Sequence, residues 1–209
     1  FAFGMFGWAT HGVQPANMLR KLDPAQGSIT TALGVLGMPG FTGWYGLTEF
    51  GRPKSGETLV VAAATGPVGS MVGQIAKLAG MRTVGIAGGA GGKVLEAVMP
   101  LMNPHGRIPI CGMISWYNAG GLGAGAKDQG LTAPGLWRNI LVNFLSVNGF
   151  IISNHFDRYP QFLNDVAPKV ASGEIRFLED VAKGLENAPE AFMSLLKGGN
   201  IGKQIVKLV

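Results

Sequence analysis

The sequence predicts an α/β fold, a doubly wound parallel sheet with helices on both faces. Three observations predict it. A β-rich apolar run, Thr58 to Ala63, stops at small residues and Gly66, and an apolar helical pattern (Met71, Val72, Ile75, Leu78, Ala79) starts near Gly69. A second β-branched run, Met81 to Ala87, ends in Gly88-Gly89-Ala90. Strand and helix signals then alternate to the end of the chain, with no internal repeat.

The first observation carries chemistry. A strand, a tight glycine turn and a helix start let backbone N–H groups approach a pyrophosphate where the helix N-terminus adds partial positive charge. The spacing is Ala63-x-x-Gly66-x-x-Gly69, one glycine short of the full dinucleotide fingerprint, and a ligand-free turn is the plainer alternative. The second strand favours the cofactor reading. A dinucleotide site of this kind places Asp or Glu after that strand to accept from a ribose 2′-OH. No acid stands between Val84 and Gly92, which leans towards a 2′-phosphate and hence NADP(H).

The remaining elements follow in order. Phe1 to Gln14 reads as extended chain punctuated by glycines, and Leu22-Asp23-Pro24 opens a turn. Ser28 to Leu36 is a small-residue segment able to pack as a helix, Gly37-Met38-Pro39-Gly40 is a loop, and Thr42 to Phe50 resumes helical spacing. Pro53 to Glu57 turns into the first strand. Val94 to Met102 is an amphipathic helix, Arg107 to Cys111 a buried strand, and Ser115 to Gln129 a glycine-rich loop. Pro134 leads a helix over Leu136 to Leu145, and Ser146 to Ile152 is the next strand. Tyr159 to Val170 is helical with Gly173 as its cap, Leu185 to Leu196 is helical with Pro189 in its first turn, and Gln204 to Val209 is a last strand.

Composition narrows the function classes. Apolar content of 47% with 34 glycines in 209 residues suits a packed α/β enzyme and excludes a disordered or fibrous chain. No apolar run approaches the ~20 residues of a membrane span, and Phe1 to Trp8 lacks the marks of a signal peptide. Cys111 is the single cysteine, so no internal disulfide exists, which fits a reducing, cytoplasmic setting. His11, His105 and His155 lie far apart, and no Cys/His cluster has metal-ligand spacing. The net charge of +5 comes from scattered cations, without the basic, aromatic-interleaved face that nucleic acid requires.

The chain resembles the zinc-free medium-chain dehydrogenase/reductases, in particular the NADPH-dependent double-bond reductases: leukotriene B4 dehydrogenase/prostaglandin reductases, plant alkenal reductases and bacterial curcumin-reductase-like enzymes. The residues that carry the resemblance are Leu36 to Gly43, Ala63 to Gly69, Gly91 to Val98, Gly106 to Ser115 with Tyr117-Asn118, Gly149 to Ile152, Gly184 to Pro189 and Gly198 to Lys203. It implies a Rossmann-type domain over 51–152, the remnant of a GroES-like catalytic domain over 1–50, and a return to that domain over 153–209. It also implies roughly a hundred residues before the position of Phe1. Between Ala90 and Gly91 it implies roughly fifty more, about one αβ unit. The expectation is therefore a longer protein, over a truncated gene product.

The resemblance implies reduction of the C=C bond of an α,β-unsaturated ketone or aldehyde, with hydride to the β-carbon, an enolate oxygen needing a donor, and no metal. By position, Gly66, Val68 and Gly69 approach the pyrophosphate, and Met38, Pro39 and Thr42 lie near the nicotinamide. Gly88 and the run Cys111 to Ser115 follow strands at the edge a cofactor crosses, Tyr117 and Asn118 resemble phosphate and ribose contacts, and Asn200 resembles an asparagine at the nicotinamide end. Many relatives carry a tyrosine donor seven residues beyond the equivalent of Gly149, where this chain has Phe156. Tyr159, His155 and the cofactor's ribose hydroxyls stay open as donors. Trp116, Phe150 and Phe156 suggest an aromatic pocket for a lipophilic enone, with plain core as the alternative. A quinone reductase of the same superfamily and a non-catalytic NADPH-binding protein remain alternatives. The resemblance also implies a homodimer, joined at the apolar edge Ser146 to Ile152.

Overall fold

The computed structural model describes residues 1–86, 92–112 and 133–208. The chain opens with a short antiparallel pair, β1 (Ala2–Phe3) with β2 (Arg20–Lys21). The segment expected as a helix from Ser28 forms only a 3-10 stretch, Ile29–Leu33. Its two threonines and following glycine disfavour a longer α-helix. Helix α1 (Met38–Tyr45) begins with Pro39 in its first turn and continues as a wider π-type turn over Gly46–Gly51. Every α1 residue from Gly40 to Tyr45 is buried, because the helix is apolar on all sides.

Strand β3 (Thr58–Ala62), helix α2 (Pro67–Leu78) and strand β4 (Arg82–Ile86) form a parallel βαβ unit with Val60 opposite Val84. Helix α3 (Gly92–Val98) gives way to a 3-10 turn, Met99–Leu101. The longer helix expected to Met102 is cut by Pro100, whose ring disfavours helical backbone at Met99. Strand β5 (Arg107–Ile110), helix α4 (Ala133–Val142) and strand β6 (Ser146–Gly149) make a second parallel pair. Strand β6 ends three residues before the expected Ile152, where 3-10 turns begin.

Helix α5 (Tyr159–Ala171) matches its expected span closely and buries Phe162 and Val166. Strand β7 (Glu179–Lys183), helix α6 (Ala188–Leu196) and strand β8 (Lys203–Lys207) form the third parallel pair, and β7 was not anticipated.

One expectation is corrected. The doubly wound parallel sheet is expected as one piece, yet among the described residues β3 pairs only with β4 and β5 only with β6, so Val60 and Ile110 lie in different ladders. Among the described residues, main-chain bonds do not join the two ladders. A side chain does: Arg107, at the start of β5, donates to the Gly51 carbonyl at 2.6 Å and to the Glu57 carboxylate at 2.5 Å beside the start of β3. The Ala90–Gly91 junction lies outside the described residues.

The principal core draws on all three parts of the chain. Val35, Phe41, Trp44 and Tyr45 pack with Met71 of α2 and with Ile152, Phe162, Val166 and Ile175. A smaller cluster, Leu47, Ala76 and Met81, lies under β3.

Candidate active site

The site is built around the turn between β3 and α2. Ala63 bends the chain with φ at +50°, a left-handed conformation that costs a non-glycine residue about 1 kcal/mol. The Gly66 N–H then donates to the Ala63 carbonyl at 3.1 Å. A β-carbon at Gly69 would collide with that same carbonyl, so only glycine lets the helix start this close to the strand. No side chain caps α2, and its first turn holds no acid. The first intrahelical bond runs from Ser70 N–H to the Gly66 carbonyl at 2.9 Å, which leaves the N–H groups of Val68 and Gly69 facing outward from the helix start. That is an anion cradle, and it fits a pyrophosphate.

Two other segments converge on it. The Gly202 N–H donates to the Thr65 carbonyl at 3.3 Å, and the Asn200 side-chain amide donates to the Gly202 carbonyl at 3.0 Å. The segment that carries Asn200 therefore meets the turn through the Gly202 N–H. Helix α1 lies against α2 with Gly43 backed onto Val68 and Val72. Met38 leads α1 and is 55% exposed, Pro39 is half-buried, and the buried Thr42 hydroxyl donates to the Met38 carbonyl at 2.7 Å. The structure thus gathers Met38, Pro39, Thr42, Gly66, Val68, Gly69 and Asn200 around the starts of two packed helices. On the far side of α2, the Gln74 amide exchanges two bonds, each 2.8 Å, with the backbone of Arg176 and ties the return segment to this helix.

The candidate donors separate clearly. The Tyr159 hydroxyl donates to the Leu36 carbonyl, just ahead of Met38. Burial raises the Tyr159 phenol above its ordinary pKa, opposed by the Arg20 guanidinium over its ring. His155 stacks on Tyr45 at 4.5 Å, and its Nδ1 lies 3.0 Å from the Tyr45 hydroxyl. Burial, then the Glu49 carboxylate, raise the Tyr45 phenol above its ordinary pKa. The Glu49–Arg158 pair at 3.3 Å closes this corner.

Of the aromatics, Phe150 packs between Tyr45 and Phe50 at 5.4 and 5.5 Å, as part of the core. Phe156 stacks on Phe41 at 5.9 Å but stays 50% exposed. The Cys111 thiol turns inward against Gly46 and the Phe150 ring, and burial pushes its pKa up to about 11. Gly88, Ser115, Trp116, Tyr117 and Asn118 lie outside the described residues. Sequence reasoning missed Tyr45 and Arg20. Tyr45 falls three residues after Thr42 on α1, a spacing that could have flagged it; nothing in the sequence flags Arg20.

No family model matches the chain. Individual proteins do. The chain is 38% identical over 251 aligned positions to the NADPH-dependent curcumin reductase of Escherichia coli (strain K12), covering 100% of this chain and 72% of that protein. It is 33% identical to the 2-alkenal reductase (NADP(+)-dependent) of Nicotiana tabacum, covering 98% and 70%. Two crystal structures of CurA from Vibrio vulnificus, without and with NADPH, match at a TM-score of 0.77 with 42% and 40% identity. They cover 86% and 95% of this chain, which spans only 65% and 67% of theirs. The alignment to the Escherichia coli protein is longer than the 209 residues here, so that relative carries residues interleaved within the matched span.

The parallel βαβ units and the glycine-turn cradle define a Rossmann-type nucleotide-binding fold. Within that class, the chain belongs to the NADPH-dependent double-bond reductases of the medium-chain dehydrogenase/reductase superfamily.

Proposed function

We propose that the protein reduces the C=C bond of α,β-unsaturated ketones and aldehydes at the expense of NADPH. The observation that carries this reading is the convergence of the uncapped α2 start, the Asn200–Gly202 segment and the exposed Met38. NADPH, when bound, supplies the hydride. The N–H groups of Val68 and Gly69 hold its pyrophosphate, and Met38, Pro39, Thr42 and Asn200 orient its nicotinamide end. The Tyr159 hydroxyl is committed to the Leu36 carbonyl, so Tyr159 positions the start of α1 at Met38. The Tyr45 hydroxyl, 3.0 Å from its Nδ1, orients the His155 ring, and His155 is the side-chain candidate to donate to the enolate oxygen.

The reading includes a reaction that needs no metal ion, as the resemblance to the zinc-free branch implies. A reducing compartment suits the free Cys111. No described helix is long and apolar enough to cross a membrane. A homodimer is proposed through β6 and α4, where Trp137, Leu141, Phe144 and Val147 are exposed. The reading also takes the segment interleaved in the relatives to fall between Ala90 and Gly91.

The test is NADPH consumption with an alkenal, an enone and a quinone as separate substrates. Turnover of the first two supports the reading. Turnover of the quinone alone, or of none, overturns it. Within it, His155→Ala lowers kcat by about a hundredfold if the imidazole donates to the oxyanion; a change under about threefold gives that role to the ribose hydroxyls.

A further inference from the structure

Gln74 stands in the middle of α2, and its side-chain amide is used in three directions. The Nε2 donates to the Arg176 carbonyl at 2.8 Å and to the Ser70 carbonyl at 3.1 Å, while Oε1 accepts the Arg176 N–H at 2.8 Å. One side chain thus meets both main-chain groups of a residue 102 positions away, a pairing that a neighbouring strand would otherwise supply. The match needs a donor and an acceptor at the end of one side chain. A carboxylate keeps the acceptor and loses the donors, and a thioether chain loses all three bonds.

The segment held in this way leads back to the cofactor turn. Arg176 follows Ile175, which is buried in the principal core and donates its N–H to the Lys169 carbonyl at 2.9 Å. Two residues beyond Arg176, the Leu178 carbonyl accepts the Lys203 N–H at 2.9 Å. Gly202, beside Lys203, turns with φ at +75°, and a β-carbon there would strike the same Leu178 carbonyl. Its N–H donates to Thr65 in the turn before α2, and its carbonyl takes the Asn200 amide. A path of chain and hydrogen bonds therefore runs from Gln74 through Leu178 and Gly202 to Asn200. It touches the cofactor unit at both ends of that path, on α2 and on the turn before it. Gln74 and Asn200 supply its side-chain bonds, and the other bonds are main chain to main chain.

We propose that Gln74 is a positioning residue for hydride transfer: by fixing the Arg176–Leu178 segment it sets where Asn200 stands against the nicotinamide end of NADPH. The proposal rests on the placing of Asn200 in the reductase reading above. Gln74 acts through the main chain and not by contact with the cofactor. The pyrophosphate is assigned to the N–H groups of Val68 and Gly69, which do not depend on this path. Loss of Gln74 therefore separates cofactor binding from turnover.

The test titrates NADPH into wild type, Gln74→Met and Gln74→Glu, reads the emission of the bound reduced nicotinamide, and then measures kcat with an alkenal. The dissociation constant should stay within about threefold in both variants. In Gln74→Met the bound emission should shift towards that of free NADPH, and kcat should fall about tenfold, because the reacting atoms are misplaced. Gln74→Glu should lose less, since it keeps the bond from the Arg176 N–H. Added to Asn200→Ala, Gln74→Met should lower kcat by less than about twofold further, as expected of two residues acting as one unit. If Gln74→Met does not fold, Gln74→Glu with and without Asn200→Ala carries the same comparison. Losses that multiply overturn the role, as does a weaker dissociation constant with unchanged emission and kcat, or a kcat within about threefold in every Gln74 variant. If wild type consumes no NADPH with any enone, the reductase reading fails, and the emission of bound NADPH alone decides the role of Gln74.

Discussion

Two regions of this molecule use similar apolar residues to opposite ends. Along the seam between α1 and α5, Phe41 and Phe162 are 0% exposed, and Trp44, Tyr45 and Val166 are buried with them. In the unit of α4 and β6, Trp137 is 66% exposed, Leu141 75% and Phe144 66%. Hydrophobicity is comparable, but among the described residues only the first set is covered. Burial, and not residue type, decides what each side chain contributes to stability. The seam is where the fold is held. The α4–β6 unit leaves its apolar residues exposed, and that exposure is what supports the proposed dimer.

The sharpest way to break this comparison is a pair of truncations followed by denaturant unfolding. Phe162→Ala should cost about 3–5 kcal/mol, by loss of transfer energy and creation of a cavity. Trp137→Ala should stay within about 0.5 kcal/mol in the monomer. Equal losses would erase the distinction. The second test moves to the cofactor helix, which the seam supports through Met71. Gly69→Val drives side-chain atoms into the Ala63 carbonyl and should lower NADPH affinity more than about tenfold, read by fluorescence titration. Tyr159→Phe is milder. It leaves the ring stacked in the seam but frees the Leu36 carbonyl, which should cost about 1 kcal/mol, with kcat within about threefold.

The smallest effect is electrostatic and belongs to the junction between β3 and β5. The hydrogen bond from Arg107 holds the Glu57 carboxyl below its ordinary pKa. A lowered folded pKa means that this group contributes stability above its unfolded pKa and loses it as pH falls through the folded value. Both side chains are partly exposed, so the contribution is under about 1 kcal/mol. Arg107→Gln should flatten the part of the stability–pH profile that falls between about pH 5 and about pH 3. An unchanged profile would remove the pair as a strut between the two ladders.

Legibility of the sequence differed by region for the same physical reason. The β3–turn–α2 unit was readable because its periodicity changes from strand to helix within a few residues, and the change falls at small residues. Helix α5 was readable from its amphipathic spacing. Strand β7 was not, because Glu-Asp-Val-Ala-Lys lacks an apolar face and exists as a strand only through pairing with β8, Glu179 opposite Lys203. The single sheet was expected from alternation alone, and alternation does not state which strands touch. At the site, the glycine turn and Met38 were legible locally. The Tyr45–His155 bond spans 110 residues and the Tyr159–Leu36 bond 123, and no local pattern encodes either pairing.

The inward turn of Cys111 has a chemical consequence for an enzyme that handles conjugated carbonyls. Such compounds are Michael acceptors, and the species they alkylate in a protein is the thiolate. A thiol with its pKa at about 11 is ionised at neutral pH in only about one molecule in ten thousand. Gly46 and Phe150 also cover the sulfur. Under a reactive enone, Cys111 should be modified far more slowly than free glutathione, as intact mass would record. The packing that fills this corner of the core also spares the single cysteine from covalent capture by the substrate.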